Sequence, residues 1–414
     1  MKILFISTAL PPFFESQTIR NAYFIRGLQE AGHEIIGVTK SEGTVDKSLC
    51  EILLSKIETI EVTSGWYFHL KQIVDRLGLK FVGKCLDVIG PLVLIPDLNI
   101  GWGAKLIKNV EVMAHAKVCD LIISSSGSYE AHLAGRDLSK KYRVPLVAEL
   151  GDPWSLNPIW PESSIFKKHF NKKLEATVFS QADLVTFTTK ETCQVYAELY
   201  PTVRFEYIPM GYSDSEFSFS VSESRNRQFI DLVYVGVAYR GSRDITPFLD
   251  SIRRVDSNRL KAKFYGKSSA SFREYVSQMG YDFATFHGQV PYSESVNIIQ
   301  HADVLVIIGN DSELQIPGKT YMYLASGKPI LYLGNNSLGS DPTWNLIKNF
   351  AGVYGFNGTL SGLPEVLAEL SDKYDDFLAL SYSRFEDRLL QQFCWSEIGN
   401  NFRIEVEQVG DNEA

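Results

Sequence analysis

The sequence lacks the marks of several common protein classes. Its five cysteines, Cys50, Cys85, Cys119, Cys193 and Cys394, are scattered. None forms a C-x-x-C pair or stands at metal-ligand spacing from a histidine, which argues against a disulfide framework or a structural zinc. Basic residues are not in excess: Lys and Arg total 41 against 49 Asp and Glu, a net charge of −8. A nucleic-acid partner is therefore not expected, because nonspecific binding needs a clustered positive field. The longest apolar stretch, from Phe81 to Pro96, is interrupted by Lys84 and Asp87. It falls short of the roughly 18 uninterrupted apolar residues that a spanning helix needs. An apolar start, Ile3 to Ile6, is broken by Pro11-Pro12, Glu15 and Arg20 without a small-residue cleavage site, so a signal peptide is not expected. There is no repeat, no low-complexity stretch, no long run of charge, and no Asp-x-Asp pair to hold a metal on a substrate.

What is present is an ordinary soluble composition, 45% hydrophobic and 22% charged, over 414 residues. One core seldom grows past roughly 250–300 residues, so two domains are expected. Short apolar runs separated by helical spacing dominate. Lys2 to Ser7 reads as a buried parallel strand. Ala22, Ile25 and Leu28 share a helix face, Gly32-His33 ends that helix, and Glu34 to Thr39 is the next strand. This is the crossover unit of a doubly wound sheet. Residues 60–100 are aromatic, apolar and less regular. Strands follow at Asp120 to Ser124, Pro145 to Leu150 and Asp183 to Thr188, with a helix from Tyr129 to Tyr142. A second series has strands at Leu232 to Val237, Ala262 to Gly266, Ala284 to Gly288, Asp303 to Ile308 and Pro329 to Gly334. The expected division is residues 1–212, a polar linker 213–229, a second α/β domain 230–381, and a helical tail 382–414 that breaks at Gly399 and crosses back to the first domain. In such sheets ligands bind beyond the carboxyl ends of the strands, so the loops after strands carry the information.

Those loops carry a resemblance. The first half contains Ile95-Pro96-Asp97 with Gly101-Trp102, a serine loop Ser124-Ser125-Ser126, and an Asp152-Pro153-Trp154 turn. The second half contains Phe286-His287-Gly288-Gln289-Val290-Pro291-Tyr292 and the block Pro317-Gly318-Lys319-Thr320-Tyr321-Met322-Tyr323-Leu324-Ala325-Ser326-Gly327-Lys328-Pro329. Over nearly its whole length the chain resembles the family-4 retaining glycosyltransferases, in the branch that builds bacterial polysaccharides and cell-surface glycans. The resemblance implies a GT-B fold, two Rossmann-like domains facing a cleft, with the acceptor on the first and a nucleoside-diphosphate sugar on the second. It also implies a metal-independent, cofactor-free reaction. The sequence departs from the family in one place: a glutamate that holds the donor ribose usually stands where this chain has Met322. A thioether cannot accept those hydrogen bonds in its place. The departure keeps a noncatalytic binding or scaffold subunit open as an alternative, beside a nucleotide-sugar epimerase on the same scaffold.

On that resemblance, Lys319 and Gly318, at a helix start, are expected on the donor diphosphate, where a helix N-terminus and a cation favour negative charge. Arg240 or Arg243, after the first strand of the second domain, and Lys267, after the next, are expected beside it. Val290 and Pro291 are expected against the base and Glu313 near the ribose. Asp152 is either a cleft carboxylate that orients or deprotonates an acceptor hydroxyl or a turn-forming aspartate. Trp154 either stacks on a sugar face or closes the core edge. Ser16, Gln17 and Arg20 follow the first strand, where relatives carry a glycine pair, and are expected on the donor or acceptor. His33 and His287 read as structural. Residues 66–95 mix Trp66, Phe68, Leu70 and Phe81 with Lys71, Arg76, Lys80 and Lys84. That pattern suits either helices packed on the domain or a peripheral contact with an anionic membrane, as a lipid-linked acceptor would require. A cytoplasmic location is expected, with peripheral binding to the inner membrane face on the second of these readings.

Overall fold

The computed structural model describes residues 1–15, 17–157, 165–217, 228–237, 244–255, 258–310, 312–334 and 338–411. The chain divides into two compact units, 1–209 with 395–414, and 210–394. The expected tail is therefore split. Residues 382–394 belong to the second unit, and only the stretch from Trp395 returns to the first.

The first unit runs β1 (Lys2–Ile6), α1 (Thr18–Glu30), β2 (Glu34–Lys40), β3 (Glu58–Val62), α2 (Trp66–Arg76), α3 (Lys80–Val93), α4 (Trp102–Leu106), α5 (Val110–Val118), β4 (Leu121–Ser125), α6 (Tyr129–Tyr142), β5 (Leu146–Gly151), α7 (Ile165–Phe179), β6 (Leu184–Phe187), α8 (Lys190–Leu199) and β7 (Phe205–Tyr207). Among the described residues its sheet has seven strands in the order β3-β2-β1-β4-β5-β6-β7, all parallel. The second unit runs β8 (Ile230–Val235), α9 (Thr246–Arg254), β9 (Leu260–Tyr265), α10 (Ala270–Gln278), β10 (Ala284–Gly288), α11 (Tyr292–His301), β11 (Val304–Ile308), α12 (Lys319–Ala325), β12 (Ile330–Leu333), α13 (Pro342–Ile347), β13 (Val353–Phe356), α14 (Leu363–Asp372), α15 (Tyr374–Tyr382) and α16 (Arg388–Gln391). Its six described strands order as β10-β9-β8-β11-β12-β13, again parallel. Both sheets reverse direction once, between β1 and β4 and between β8 and β11. These are the switch points where doubly wound sheets bind ligands.

Several strands begin one residue later than the apolar pattern implied, for one shared reason. Asp120, Asp183 and Asp303 sit just before β4, β6 and β11. Each turns its carboxylate to a backbone N–H at the start of a neighbouring strand, on Lys2 (2.7 Å), Leu146 (2.8 Å) and Asp231, the second residue of β8 (2.8 Å). The carboxylates answer donors that the ladder leaves open.

The last helix, α17 (Trp395–Asp411), runs unbroken through Gly399, contrary to the expected break. Gly399 is there for contact. α17 packs on α1, and a Cβ on Gly27 would lie 2.6 Å from the Gly399 carbonyl oxygen. A Cβ on Gly399 would lie 2.7 Å from that of Tyr23. The two backbones touch, with Phe24 stacked on Phe402 at 3.9 Å and Tyr23 on Trp395 at 5.4 Å either side. His33 is structural, as expected, but acts beyond its own helix. Its ring bridges the chain's amino group (3.1 Å) and Glu407 of α17 (2.9 Å).

Gly399→Ala is expected to destabilise the protein by roughly 1–3 kcal/mol, the usual penalty of overpacking a close contact. Gly32→Ala places its methyl where nothing lies within 4 Å and pays only for a left-handed backbone. Urea unfolding of the two variants checks this, with the Gly399 change losing more.

Candidate functional site

Each unit presents a site at its own switch point. In the first, the loops after β1 and β4 approach closely. A Cβ on Gly127 would lie 2.4 Å from Thr8 Oγ1 and 2.8 Å from Glu15 Oε2, so a larger residue there would have to displace those two side chains. Beside this contact lies a cavity of about 180 Å³ lined by Gln17, Asp97, Ser126, Gly127, Ser128, Tyr129, Leu150, Asp152 and Asn157. Gln17 and Asp152, both expected in the site, are brought together here.

Asp97 is the member that sequence reasoning missed. It follows the cis Ile95–Pro96 bond, and its carboxylate accepts from Ser128 Oγ (2.9 Å), Tyr129 N (2.7 Å) and Asn99 N (2.7 Å). The carboxylate thus occupies the N-terminus of α6. Burial pushes its pKa up, against the lowering effect of those donors and of nearby Lys167. The Ile-Pro-Asp motif was a visible signal, but nothing in the sequence said what the aspartate touches.

The turn carrying Asp152 is held from below. Buried Glu175 of α7 accepts from Ser155 N (2.7 Å), Ser155 Oγ (2.8 Å), Tyr196 OH (2.8 Å) and Tyr200 OH (3.0 Å). Desolvation raises its pKa in spite of these four bonds. Trp154 lies flat on Tyr129, with ring centroids 4.5 Å apart, and donates its indole N–H to Asn171 (3.1 Å). It is wholly buried, so of the two readings the sugar stacking is corrected and the core position holds, with Trp154 a platform beneath Tyr129 of the cavity lining. Behind the serine loop, buried His132 meets Ser124 Oγ (2.9 Å) and Ser126 Oγ (3.0 Å). Desolvation pushes its pKa down to about 3.

Arg20 is corrected too. It is fully buried and cannot reach a substrate. Its guanidinium donates to Glu149 (2.9 Å) and to the carbonyls of Pro209 (2.5 Å) and Ile208 (2.8 Å). A charge in the first turn after a strand looks like a surface residue until the fold supplies its partner. Ser16, Arg240 and Arg243 lie outside the described residues.

In the second unit the strands β8, β9, β10, β11 and β12 each end at a glycine: Gly236, Gly266, Gly288, Gly309 and Gly334. Gly309 and Gly334 are buried against Tyr332 and Leu338, and the other three leave the edge of β8, β9 and β10 without a side chain of its own, which lets a ligand approach closely. The first three are contiguous. Gly266 N donates to the Gly288 carbonyl (2.6 Å), and a Cβ on Gly266 would lie 2.1 Å from the Gly236 carbonyl oxygen. Lys319, the first residue of α12, reaches this row. Its ammonium donates to Val235 O (2.5 Å) over the Tyr234 ring (3.8 Å), and a Cβ on Gly236 would lie 2.4 Å from it. Lys267 follows Gly266 and is exposed, Val290 is half-buried and Pro291 exposed just after β10, and Gly318 precedes Lys319. Glu313 is exposed on the loop before α12. Met322 is half-buried and packs against the unit's core, as its apolar side chain requires. His287 stacks on Tyr265 at 4.5 Å and contacts Thr285 Oγ1 (3.0 Å), in keeping with a structural role.

One group among the described residues has the composition to hold a cation. Glu58, Glu111 and His115 keep their ligand atoms within 4.8 Å of one another, at the amino end of β3 and along α5.

Two α/β units with these strand orders, each open at its carboxyl edge, define the GT-B fold. No family model and no curated protein matches the chain. Solved structures do. HepE of Anabaena, crystallised with UDP and glucose, matches with a TM-score of 0.65 over 99% of this chain and 100% of its own, at 13% identity. WaaG, a glycosyltransferase involved in lipopolysaccharide biosynthesis, matches at 0.60 over 98% and 99%, also at 13% identity. The UDP-GlcNAc 2-epimerase of Methanocaldococcus jannaschii matches at 0.55 over 99% and 100%, at 11% identity.

The neutral His132 gives stability a defined acid dependence. Its folded pKa, about 3, lies below the ordinary value of 6.5, so unfolding takes up a proton whenever the pH is below 6.5. The contribution is complete above pH 6.5 and falls by about 1.4 kcal/mol per pH unit as the pH drops toward 3. Urea titrations at pH 7 and pH 5 should differ by about 2 kcal/mol from this group. His132→Gln should remove that part of the slope.

Proposed function

We propose that the chain is a glycosyltransferase that moves a sugar, with retention, from a nucleoside-diphosphate donor to a glycan or lipid-linked glycan in cell-surface polysaccharide synthesis. The observation that carries this reading is Lys319 set against the glycine-ended strands β8, β9 and β10. Bare backbone and one cation form a place for a diphosphate, and electrostatic stabilisation of the leaving group is the main demand of the reaction. The fold shared with HepE, whose structure holds UDP and glucose, supports it.

In this reading Lys319, Lys267 and Arg240 or Arg243 neutralise the diphosphate, which lets the protein meet that demand without a metal. Gly318, Val290 and Pro291 line the nucleotide, and Glu313 is assigned to the ribose in place of the residue that Met322 replaces. The donor's bond from anomeric carbon to phosphate oxygen breaks, the acceptor oxygen bonds to that carbon on the same face, and the acceptor proton passes to the departing phosphate. Asp152 and Gln17 orient the acceptor. The likeness to a UDP-GlcNAc 2-epimerase keeps a second reading, epimerisation of the nucleotide sugar, in which product forms with no acceptor present.

The lipid-linked acceptor is supported by the surface of the first unit. Tyr67 of α2 donates to Leu86 O of α3 (2.8 Å), and this hairpin leaves Phe81 79% and Leu77 66% exposed. Lys167 donates to Pro91 O (2.6 Å), which sets the start of α7, with Phe166 83% exposed, beside the hairpin. Lys80, Lys84, Lys168 and Lys172 accompany these apolar groups, a combination suited to an anionic lipid surface. Among the described residues no helix is long and apolar enough to cross a membrane.

Thermal shift against a panel of nucleoside diphosphates tests the donor site. One of them at 100 times its dissociation constant should stabilise the protein by ~2.7 kcal/mol. Lys319→Ala should lose that shift, and equal shifts in both proteins would sink the assignment. Separately, the protein should sediment with vesicles containing phosphatidylglycerol and stay in solution with phosphatidylcholine. Phe81→Glu combined with Phe166→Glu should release it.

A further inference from the structure

The acceptor reading of the first unit can be narrowed by charge, and the inference rests on that reading. A loop leading from a parallel strand into a helix N-terminus is the usual place for a phosphate in this type of sheet. In the cavity after β4 that place is filled by the protein itself. Asp97 takes the backbone N–H of Tyr129 (2.7 Å) and the hydroxyl of Ser128 (2.9 Å), so the open end of the 14-residue helix α6 already has its anion.

The remaining polar lining adds negative charge and acceptor atoms. Asp152 is the second carboxylate, and Gln17 Oε1 is buried with no hydrogen-bond partner. No lysine or arginine lines the cavity among the described residues, and 158–164, which follow Asn157, contain none either. The cations nearby are engaged elsewhere: Arg20 by Glu149, Lys40 by Glu15, and Lys167 by Pro91 O with its remaining influence on Asp97. The Tyr129 hydroxyl registers the resulting field. Its pKa is raised chiefly by burial, against the lowering effect of a hydrogen bond to Asn157, with smaller raising contributions from the charges of Asp152, Asp97 and Glu175.

We propose that this cavity holds a sugar unit bearing a free amino group and excludes a phosphorylated or carboxylated one. An ammonium has three donors and no acceptor, which matches a lining with a carboxylate and an unanswered amide oxygen. A phosphate would meet two carboxylates and no cation. At about 180 Å³ the cavity is smaller than the roughly 300–1,000 Å³ of pockets for larger ligands, so it suits one ring of a glycan.

The test is calorimetric titration of the full-length protein with methyl glucosaminide, methyl N-acetylglucosaminide and glucose 6-phosphate, with UDP as a separate titrant. The amine is expected to bind about tenfold tighter than the acetamide at low salt, a gap of about 1.4 kcal/mol. The phosphate is expected not to bind. Asp152→Asn should erase the amine's advantage, and added salt should reduce it. Gln17→Leu, which removes an uncharged acceptor, should weaken both glycosides and keep their ratio above one. Binding of the phosphate as tight as the amine, or equal binding of amine and acetamide to the parent, overturns the proposal. So does binding of UDP with no glycoside bound, and that outcome leaves the donor site standing. Absence of UDP binding counts against the glycosyltransferase reading instead, and the glycoside ranking still decides the charge preference of the cavity.

Discussion

A guanidinium sealed from water must have its charge and its N–H groups answered by the protein, and much of the first unit is arranged to answer Arg20. The pair with Glu149 ties α1 to β5, and the carbonyls of Ile208 and Pro209 tie both to the end of the unit. Ser125 at the end of β4 sets its hydroxyl between the other carboxylate oxygen of Glu149 (2.7 Å) and Asn21 Oδ1 (2.6 Å), two acceptors that share its single proton. Removing one partner of such a pair costs about 3–5 kcal/mol, because the other charge stays buried. The geometry of the cavity depends on it. Gln17 stands one helical turn before Arg20, Ser126 follows Ser125, and Asp152 follows Glu149 by three residues. The groups that line the cavity hang from the same buried charge pair.

That dependence explains what could be read in the sequence. The central strands are continuous apolar runs because both faces of a parallel sheet are covered, and they were legible. β3, β7 and β13 were not, and each is an edge strand: Glu58 and Glu61 interrupt β3, β7 has three half-buried residues, and Gly355 interrupts β13. The loops after strands were the place the sequence pointed to: Gln17 follows β1 and Lys319 follows β11, both strands at switch points, while Asp152 follows β5. Arg20, Trp154 and Gly399 were misread because their roles are tertiary. A buried ion pair, a covered ring and a helix crossing all involve residues distant in sequence. Asp97 was legible as a motif and silent as chemistry.

The two units use one topology with opposite electrostatics. At the switch point of the first, a carboxylate fills the helix terminus and the lining is rich in acceptors. At that of the second, glycines strip side chains from the edge and a lysine projects toward the bare backbone. Strand order alone does not choose between them, since it places ligands without naming their charge. A few side chains make the distinction, Asp97 and Asp152 in the first unit and Lys319 in the second.

The meeting of Gly27 and Gly399 bears on the order in which the chain acquires its structure. A ribosome delivers α1 before the whole second unit and α17 after it. Domains generally fold as they emerge. The second unit, continuous in sequence, has everything it needs before α17 is made. The first must wait with the face of α1 uncovered, so a unit begun before its neighbour is completed after it.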